Sequence, residues 1–324
     1  MSTFIKQFIM TVRGPISPEE LGFCHCHEHL FIAEGHSAKV VPSLRIDSIE
    51  KTTEELMLFK SVGGNSIVDA QPVGCGRIPE ALRAASEAAD INIIASTGFH
   101  KLGFYAQDHW IHSISQEQYA QILTLELTEG MYIHCDNSYP EQRIAAKCGM
   151  IKTAYTKEGI NSRYYKLFSA AAQASLDTGA PIMCHTDPDT DPLDLVKFFT
   201  SKGIPANAII LCHLDRTMKN ASDHIKVAKT GVYLEFDTIA RFKYHSDDVE
   251  AGLISNLIEN GFEDQLLLGL DTTRERLKSY GNPIGLDYII TEFLPNLKSK
   301  GLSEAILHKL MFANPAKALV NRKL

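Results

Sequence analysis

The chain has 324 residues and a formal net charge of −7, from 32 lysine and arginine residues against 39 aspartate and glutamate residues. Hydrophobic residues make up 44% and charged residues 22%, so the chain can bury a core and disorder is excluded as its main state. The negative charge argues against a nucleic-acid partner. No apolar run reaches the ~18 residues of a membrane span, so no membrane partner is expected either.

Two local features predict where the protein works. The first fourteen residues carry one apolar patch but no small-residue cleavage site, so we do not expect a signal peptide there. The seven cysteines are odd in number and scattered, and Cys184 and Cys212 sit inside apolar, strand-like runs. This pattern is typical of reduced thiols rather than of a disulfide framework, and it predicts a cytoplasmic protein.

Short apolar runs rich in β-branched residues alternate along the chain with longer stretches of helical periodicity. The predicted strands cover residues 22–29, 66–70, 91–97, 150–153, 181–185, 208–213, 232–236 and 265–271. The predicted helices cover residues 78–89, 164–178, 192–202, 217–230, 248–260 and 303–310, and a last helix is predicted to start at Asn314. Asp191 before Pro192 is predicted to cap a helix, and Gly179 and Gly231 are predicted to end helices.

The alternation predicts the fold class. Eight strand–helix units in 324 residues average about 40 residues each, as in a (β/α)8 barrel with insertions. A doubly wound sheet would alternate in the same way, but no GxGxxG motif follows the first strand, which disfavours a dinucleotide-binding fold. No linker, low-complexity stretch or repeat divides the chain. We therefore predict an α/β protein with a single (β/α)8 TIM barrel domain over residues 1–324.

Ionisable side chains end five of the predicted strands. His27 and His29 alternate with Glu28, so both imidazoles face the same side of the first strand. The other strand-end residues are Lys152, His185, His213 and Asp271. In a parallel barrel all these C-terminal ends meet at one rim, where active sites lie. Four histidines and one aspartate at that rim form a ligand set for divalent metals.

Each of these residues also has a simpler explanation when it is taken alone. A histidine at a strand end is often only hydrogen-bonded, an aspartate after a strand often caps a helix, and a lysine often reaches water. The nearby Cys24, Cys26, Cys184 and Cys212 are interpreted as small core residues that point away from the rim. Chance would have to bring such residues to one rim from five strands, so we favour a metal site.

Several short motifs occur in a characteristic order: Gly22-Phe23, His27-Glu28-His29, Ile151-Lys152, Thr178-Gly179-Ala180-Pro181, Cys184-His185-Thr186, Cys212-His213, Asp271 and Asn314-Pro315. In this order and spacing they resemble the phosphotriesterase-related family of the amidohydrolase superfamily, over nearly the whole chain. The resemblance implies a metal-dependent hydrolase with two divalent ions. His27, His29 and Asp271 are similar to the family's ligands of the more buried ion, and His185 and His213 to those of the more exposed ion.

The resemblance implies a further role for Lys152. It is similar to the lysine that reacts with CO2 in this family to give a carbamate bridging both metals. Electrostatics agrees, because an ammonium beside two dications is disfavoured and burial favours the neutral amine. Zinc is the first choice of metal, although manganese and cobalt also suit these ligands. The expected mechanism is attack by a metal-bridging hydroxide, with Asp271 as general base and then general acid.

The loops after predicted strands 7 and 8 are strongly cationic, although the chain is acidic overall. Barrels commonly bind phosphate with these loops. They are similar to the loops of the family branch that opens phosphorylated sugar lactones. That similarity implies phosphate contacts from Lys243, Arg274 and Tyr280, with further substrate contacts from Arg276, Lys101 and His100. The alternative is that these side chains are solvated or paired with neighbouring acids.

We therefore predict an enzyme that opens the ring of an aldono-1,4-lactone 5-phosphate, a small-molecule substrate. The first alternative is a lactonase or esterase for unphosphorylated or acyl-homoserine lactones, with promiscuous phosphotriesterase activity. The charged loops disfavour it, because those substrates need a more apolar pocket. The second is a non-catalytic metal-binding barrel, against which the complete ligand set argues. A homodimer is expected from the family and from base rates.

Overall fold

Eight parallel strands, each hydrogen-bonded to its neighbour in chain order, run through the centre of the molecule. They come from a computed structural model that describes residues 7–218 and 220–322. The strands are β3 (Cys24–Glu28), β4 (Ser66–Asp69), β5 (Asn92–Gly98), β6 (Met150–Tyr155), β7 (Ile182–Thr186), β8 (Ile209–Leu211), β9 (Tyr233–Phe236) and β10 (Leu266–Leu268), after a hairpin of β1 (Ile9–Thr11) and β2 (Gly14–Ile16). All eight predicted strands are therefore present.

The sheet closes almost completely. The Asp271 N–H, just beyond β10, donates to the carbonyl of His27 at the end of β3, at 2.9 Å. This contact brings the last strand to the first, and the predicted TIM barrel is confirmed. The hairpin β1–β2 was not predicted, and its Ile9 packs with barrel-interior residues such as Val68 and Ile94. Part of the predicted N-terminal stretch, residues 1–6, lies outside the described residues.

Helices follow most of the strands and cover the outside of the sheet. They are α1 (His36–Val40), α2 (Ile49–Ser61), α3 (Pro79–Ala89), α4 (Gln116–Thr128), α5 (Ser162–Thr178), α6 (Pro192–Ser201), α7 (Leu214–Thr217), α8 (Ala221–Ala228), α9 (Asp247–Glu259), α10 (Leu294–Ser299), α11 (Glu304–His308) and α12 (Asn314–Ala318). A π-helical turn precedes α10, and another joins α11 to α12. None of the described helices is both long and apolar enough to cross a lipid bilayer.

The predicted helix ends are mostly confirmed. The Asp191 side chain caps α6 by accepting from the Leu193 N–H at 2.9 Å, and Gly179 ends α5 with a φ of 79°. The expected helix start at Asn314 is wrong in one respect. Ala313 is already helical, with φ −72° and ψ −42°, so the Asn-Pro pair continues a helix across the π-helical turn. Proline is tolerated there because it opens a new run of α-helical hydrogen bonds.

The strand β3 is irregular, and this irregularity positions the first pair of histidines. Its register against β4 shifts between His25 and Glu28. Cys24 and Cys26 pack inside the barrel, whereas the His25 ring contacts the Phe59 ring at an angle of 56°, with 4.7 Å between ring centroids. A regular strand would then turn residue 27 outward as well. Cys26 is buried in the barrel interior, as expected of a small core residue, and the bulge lets the cysteine and the histidine after it both face inward.

Candidate metal centre and active site

A cavity of about 450 Å³ opens at the carboxyl ends of the barrel strands. Its wall contains all four predicted histidine ligands and the predicted aspartate, together with residues of the loops that follow β3, β5, β9 and β10. The cavity-lining residues at the strand ends are His27, His29, His185, His213 and Asp271. The sequence prediction that these side chains share one rim is therefore matched by their positions.

His27, His29 and Asp271 converge on one point. The His29 Nε2 atom lies 3.4 Å from Asp271 Oδ1, and the His27 Nε2 atom lies 3.7 Å from the same oxygen. The three ligand atoms lie within 4.8 Å of one another, and all three residues are buried. The His29 Nδ1 atom is also buried without a hydrogen-bond partner. Nitrogen and carboxylate donors in this arrangement suit a divalent cation.

His185 and His213 complete the ring of imidazoles on the other side of His27. The His185 and His213 rings lie 4.4 Å apart between centroids, and the His27 and His213 rings lie 5.0 Å apart. His213 adopts a left-handed backbone conformation with φ 66°, and Asp271 does the same with φ 49°. Such strained residues are concentrated at functional sites.

Lys152 lies beneath these histidines and is fully buried. Its Nζ atom is 3.2 Å from His27 Nε2 and 3.4 Å from Met183 Sδ. Among the described residues it has no ion-pair partner. The imidazole and the thioether beside it offer no negative charge that would stabilise an ammonium. An anionic carbamate on this lysine would instead be stabilised by metal ions. The environment of Lys152 therefore fits the carbamate that the resemblance implies.

Burial keeps the site histidines in the form that binds metal. Burial and the charge of Lys152 hold the pKa of His27 well below its usual range, and burial with Arg216 does the same to the pKa of His213. Burial lowers the pKa of His185 to about 3. The three imidazoles are thus neutral near pH 7, and only a neutral imidazole can coordinate a cation.

Two arginines hold the other oxygen of Asp271. Arg216 Nη2 lies 3.0 Å and Arg241 Nη1 lies 3.3 Å from Asp271 Oδ2. Burial opposes ionisation of Asp271, but the charges of Arg241 and Arg216 outweigh it and keep the pKa of this carboxyl well below its usual range. The sequence analysis missed Arg216, which lies three residues after His213 in α7 and has no pattern of its own in the sequence.

Two buried carboxylates on one strand stand behind the histidines. Glu235 Oε2 is 2.7 Å from His27 Nδ1, and Asp237 Oδ1 is 2.6 Å from His213 Nδ1. The sequence analysis missed both, although a signal was present. Two acidic residues at a spacing of two, in and just after an otherwise apolar predicted strand, indicate charges that face a buried site.

The predicted substrate-binding residues divide into two groups. Lys243, Arg276, Lys101 and His100 line the cavity. Arg276 donates to the carbonyls of Leu270 and Ile239, which anchors it in the wall. Lys101 pairs with Asp187, whose Oδ1 is in turn 3.0 Å from His185 Nε2.

Arg274 and Tyr280 are not among the residues that line this cavity. The Arg274 guanidinium lies 5.9 Å from the centre of the Tyr280 ring, and the Tyr280 hydroxyl accepts from the Ser48 N–H at 3.2 Å. Their role as phosphate contacts stays a prediction. Arg241 lies inside the cavity from the same pair of loops, so part of the predicted cationic cluster does face the site.

A ring of buried histidines with a carboxylate, at the rim of a TIM barrel, is typical of a metal-dependent hydrolase. The chain belongs to the Phosphotriesterase family, which it matches over residues 7–319. A phospho-furanose lactonase from Mycoplasmopsis synoviae (strain 53) is 30% identical to it, over 97% of this chain and 92% of the relative. An N-acetyltaurine hydrolase from Xenopus tropicalis is 26% identical, over 95% of this chain and 96% of the relative.

Solved structures agree with this classification. An amidohydrolase from Mycoplasma synoviae superposes with a TM-score of 0.94 at 30% identity, covering 99% of this chain and 94% of the other. A lactonase from Listeria monocytogenes superposes with a TM-score of 0.89 at 28% identity, covering 98% of this chain and 100% of the other. The chain is therefore a hydrolase of the metal-dependent Phosphotriesterase family, and its buried histidine and aspartate groups can hold metal.

Proposed function

We propose that the protein is a binuclear-metal lactonase that opens the ring of a phosphorylated furanose lactone. The observation that carries this proposal is the convergence of four buried histidines, Asp271 and the unpaired Lys152 on one cavity. One ion would be held by His27, His29 and Asp271 and a second by His185 and His213, with Lys152 between them as a carbamate. Zinc is the proposed metal, and manganese and cobalt suit the same ligands.

Bound metal would supply Lewis acidity and activate a water molecule for attack on the lactone carbonyl. The chain itself supplies the proton transfer. Asp271 Oδ1 faces His27 and His29, so it can accept the proton that the attacking water releases and return it to the leaving ring oxygen. Arg216 and Arg241 on its other oxygen keep the carboxylate oriented between these two steps.

The positive charge of the cavity supports an anionic substrate. Lys101, Arg241, Lys243 and Arg276 all line it, against two lining acids, Asp271 and Glu275. Arginine and lysine recognise phosphate by bidentate hydrogen bonds and by charge. Two relatives are named phospho-furanose lactonases, in agreement with this choice of substrate. Lys243, Arg274 and Tyr280 remain the proposed phosphate contacts, the last two on condition that their loop turns inward when substrate binds.

The test is a hydrolysis screen with the metal-loaded enzyme in bicarbonate buffer. The panel holds pentono-1,4-lactone 5-phosphates, their unphosphorylated counterparts, an acyl-homoserine lactone, a phosphotriester and N-acetyltaurine. We expect a preference for the phosphorylated lactone of about 100-fold over the plain lactone, worth about 2.7 kcal/mol. Equal rates on both lactones would contradict the proposed phosphate site but would leave the proposed metal-dependent hydrolysis unaffected. A higher rate on N-acetyltaurine would indicate that the substrate is an anionic amide rather than a lactone.

Three broader expectations belong to the same proposal. The whole chain, residues 1–324, is proposed to form one catalytic domain, so limited proteolysis should release no stable fragment. It is proposed to work as a homodimer, which light scattering after gel filtration measures. A cytoplasmic location is proposed because all seven cysteines are free in the structure, as a reducing compartment allows.

A further inference from the structure

The strand β9 supplies none of the proposed metal ligands, yet one carboxylate on it, Glu235, and one just past its end, Asp237, reach the site. Glu235 and Asp237 are both fully buried and lie two residues apart, so they face the same side of the strand. Each makes its shortest contact with a different ligand, and Asp237 Oδ2 also lies 3.6 Å from Nδ1 of His27. Glu235 Oε2 is 2.7 Å from Nδ1 of His27, and Asp237 Oδ1 is 2.6 Å from Nδ1 of His213.

These contacts determine which nitrogen of each ring is available to a metal ion. A ring whose Nδ1–H donates to a carboxylate keeps its lone pair on Nε2. The Nε2 atom of His27 is the one that faces the site, at 3.2 Å from Lys152 Nζ and 3.7 Å from Asp271 Oδ1. Carboxylates behind metal-binding histidines fix the ring and raise its basicity.

The two carboxylates differ in how many of their oxygens accept a hydrogen bond. Asp237 accepts with both oxygens, since its Oδ2 also receives the backbone N–H of His213 at 3.0 Å. The second oxygen of Glu235, Oε1, is buried without a hydrogen-bond partner. Leaving such an oxygen unpaired opposes folding. A hydrogen bond that only held His27 in place would need one of the two oxygens, so the unpaired Oε1 leaves Glu235 with room for a further partner at this site.

We propose that Glu235 is a positioning residue for the more buried metal ion, and that Asp237, just past the end of β9, is the corresponding residue for the other ion. The inference rests on the binuclear site proposed above. His27 belongs to the set with His29 and Asp271, whereas His213 belongs with His185. Replacing Glu235 should therefore lower the affinity chiefly for the more buried ion, and replacing Asp237 should lower the affinity for the other ion.

The test measures metal affinity rather than turnover. The enzyme is loaded with Zn²⁺, and each ion is withdrawn by competition with a chromophoric chelator, while Co²⁺ absorption spectra report the geometry of each site. The variants are Glu235→Leu, which removes hydrogen bond and charge, Glu235→Gln, which keeps an acceptor, and Asp237→Asn. Glu126→Gln is the matched control, because it alters a fully buried carboxylate that contacts none of the proposed ligands.

We expect the wild type to bind two ions per chain. Glu235→Leu should lower the affinity of one ion by roughly 10- to 100-fold and leave the other unchanged. Glu235→Gln should recover part of that loss, Asp237→Asn should weaken the second ion, and Glu126→Gln should bind both ions as the wild type does.

Three results would overturn the inference. Glu235→Leu could bind both ions with wild-type affinity, or the control could lose as much affinity as Glu235→Leu. Third, the wild type could bind an additional ion that the Cys212→Ser variant does not bind. Glu235 would then be a metal ligand itself, because the ligand atoms of His27, Cys212, Glu235 and Asp237 lie within 4.8 Å of one another. The first two leave the binuclear proposal intact. A wild type that binds no metal would end both proposals.

Discussion

Gly98 lets strand β5 approach Lys152 of the candidate metal centre closely. It ends β5 with a φ of 97°, a backbone conformation that L side chains rarely adopt, beside Lys152 in the sheet. A Cβ atom there would lie only 1.9 Å from the Lys152 carbonyl oxygen. Gly98→Ala should therefore lower the free energy of unfolding by about 3 kcal/mol or more, through the steric clash and the strained φ together.

The matched control is the same substitution at Gly252, which lies in α9 with open space around it. Gly252→Ala should raise the free energy of unfolding by about 0.5–1 kcal/mol, since alanine favours helix. Urea denaturation measures both. A Gly98→Ala protein as stable as the wild type would contradict the close approach of β5 and β6 at this point.

Asp271 is the residue on which the proposed chemistry depends. Asp271→Asn keeps the size of the side chain but removes the proton acceptor, so kcat should fall by roughly 10²- to 10⁴-fold. The measurement is the initial rate on the best substrate of the panel, at equal metal content. Asp264→Asn, in an exposed ion pair with Lys309, is the control and should leave kcat unchanged. An unchanged rate in Asp271→Asn would refute the proton-transfer role.

At the scale of elements, a buried ion pair joins two helices to the barrel. Arg77, just before α3, pairs with Glu126 of α4, and both are almost completely buried. Glu126 also accepts from the Thr97 hydroxyl at 2.6 Å, and Arg77 donates to the Ser96 carbonyl at 2.7 Å, both on β5. Removing one partner leaves a buried charge unpaired, which typically destabilises a protein by about 3–5 kcal/mol.

We therefore expect Arg77→Met to lower the free energy of unfolding by about that amount. The combination of Arg77→Met with Glu126→Leu should lower it by clearly less than the sum of the two single changes. The exposed pair Arg83–Glu87 on α3 is the comparison, where Glu87→Gln should change stability by less than about 0.5 kcal/mol. Additive effects in the buried pair would mean that its two charges are stabilised separately.

At the scale of the whole molecule, all seven cysteines are free and buried. Burial raises the pKa of the thiols of Cys75, Cys148 and Cys212 among others, and the thiolate is the reactive form. A thiol reagent such as Ellman's reagent should therefore find fewer than one reactive thiol in the folded enzyme, and seven after denaturation without reductant. Fewer than seven after denaturation would reveal a disulfide that the structure does not contain.

Much of the fold follows from local patterns. Most barrel strands were predictable because both of their faces are buried, which produces a largely apolar run. The exception is β3, which is buried but has the sequence Cys-His-Cys-His-Glu. The helices α2 and α4 were not among the predicted helices, since buried polar residues such as Glu55 and Glu126 interrupt their apolar periodicity. The bulge in β3 also escaped prediction, because a shift of register depends on the neighbouring strand.

The sequence by itself determined the barrel, the rim and the ligand types, because parallel strands deliver their C-terminal residues to one edge wherever they lie along the chain. Only the tertiary structure decided which charged side chains contact these ligand residues. Glu235 lies 208 residues from His27, and Arg216 lies 55 residues from Asp271. It also decided that Arg274 and Tyr280 contact each other beside the cavity. Contacts of this kind depend on how loops and side chains pack, for which local periodicity carries no signal.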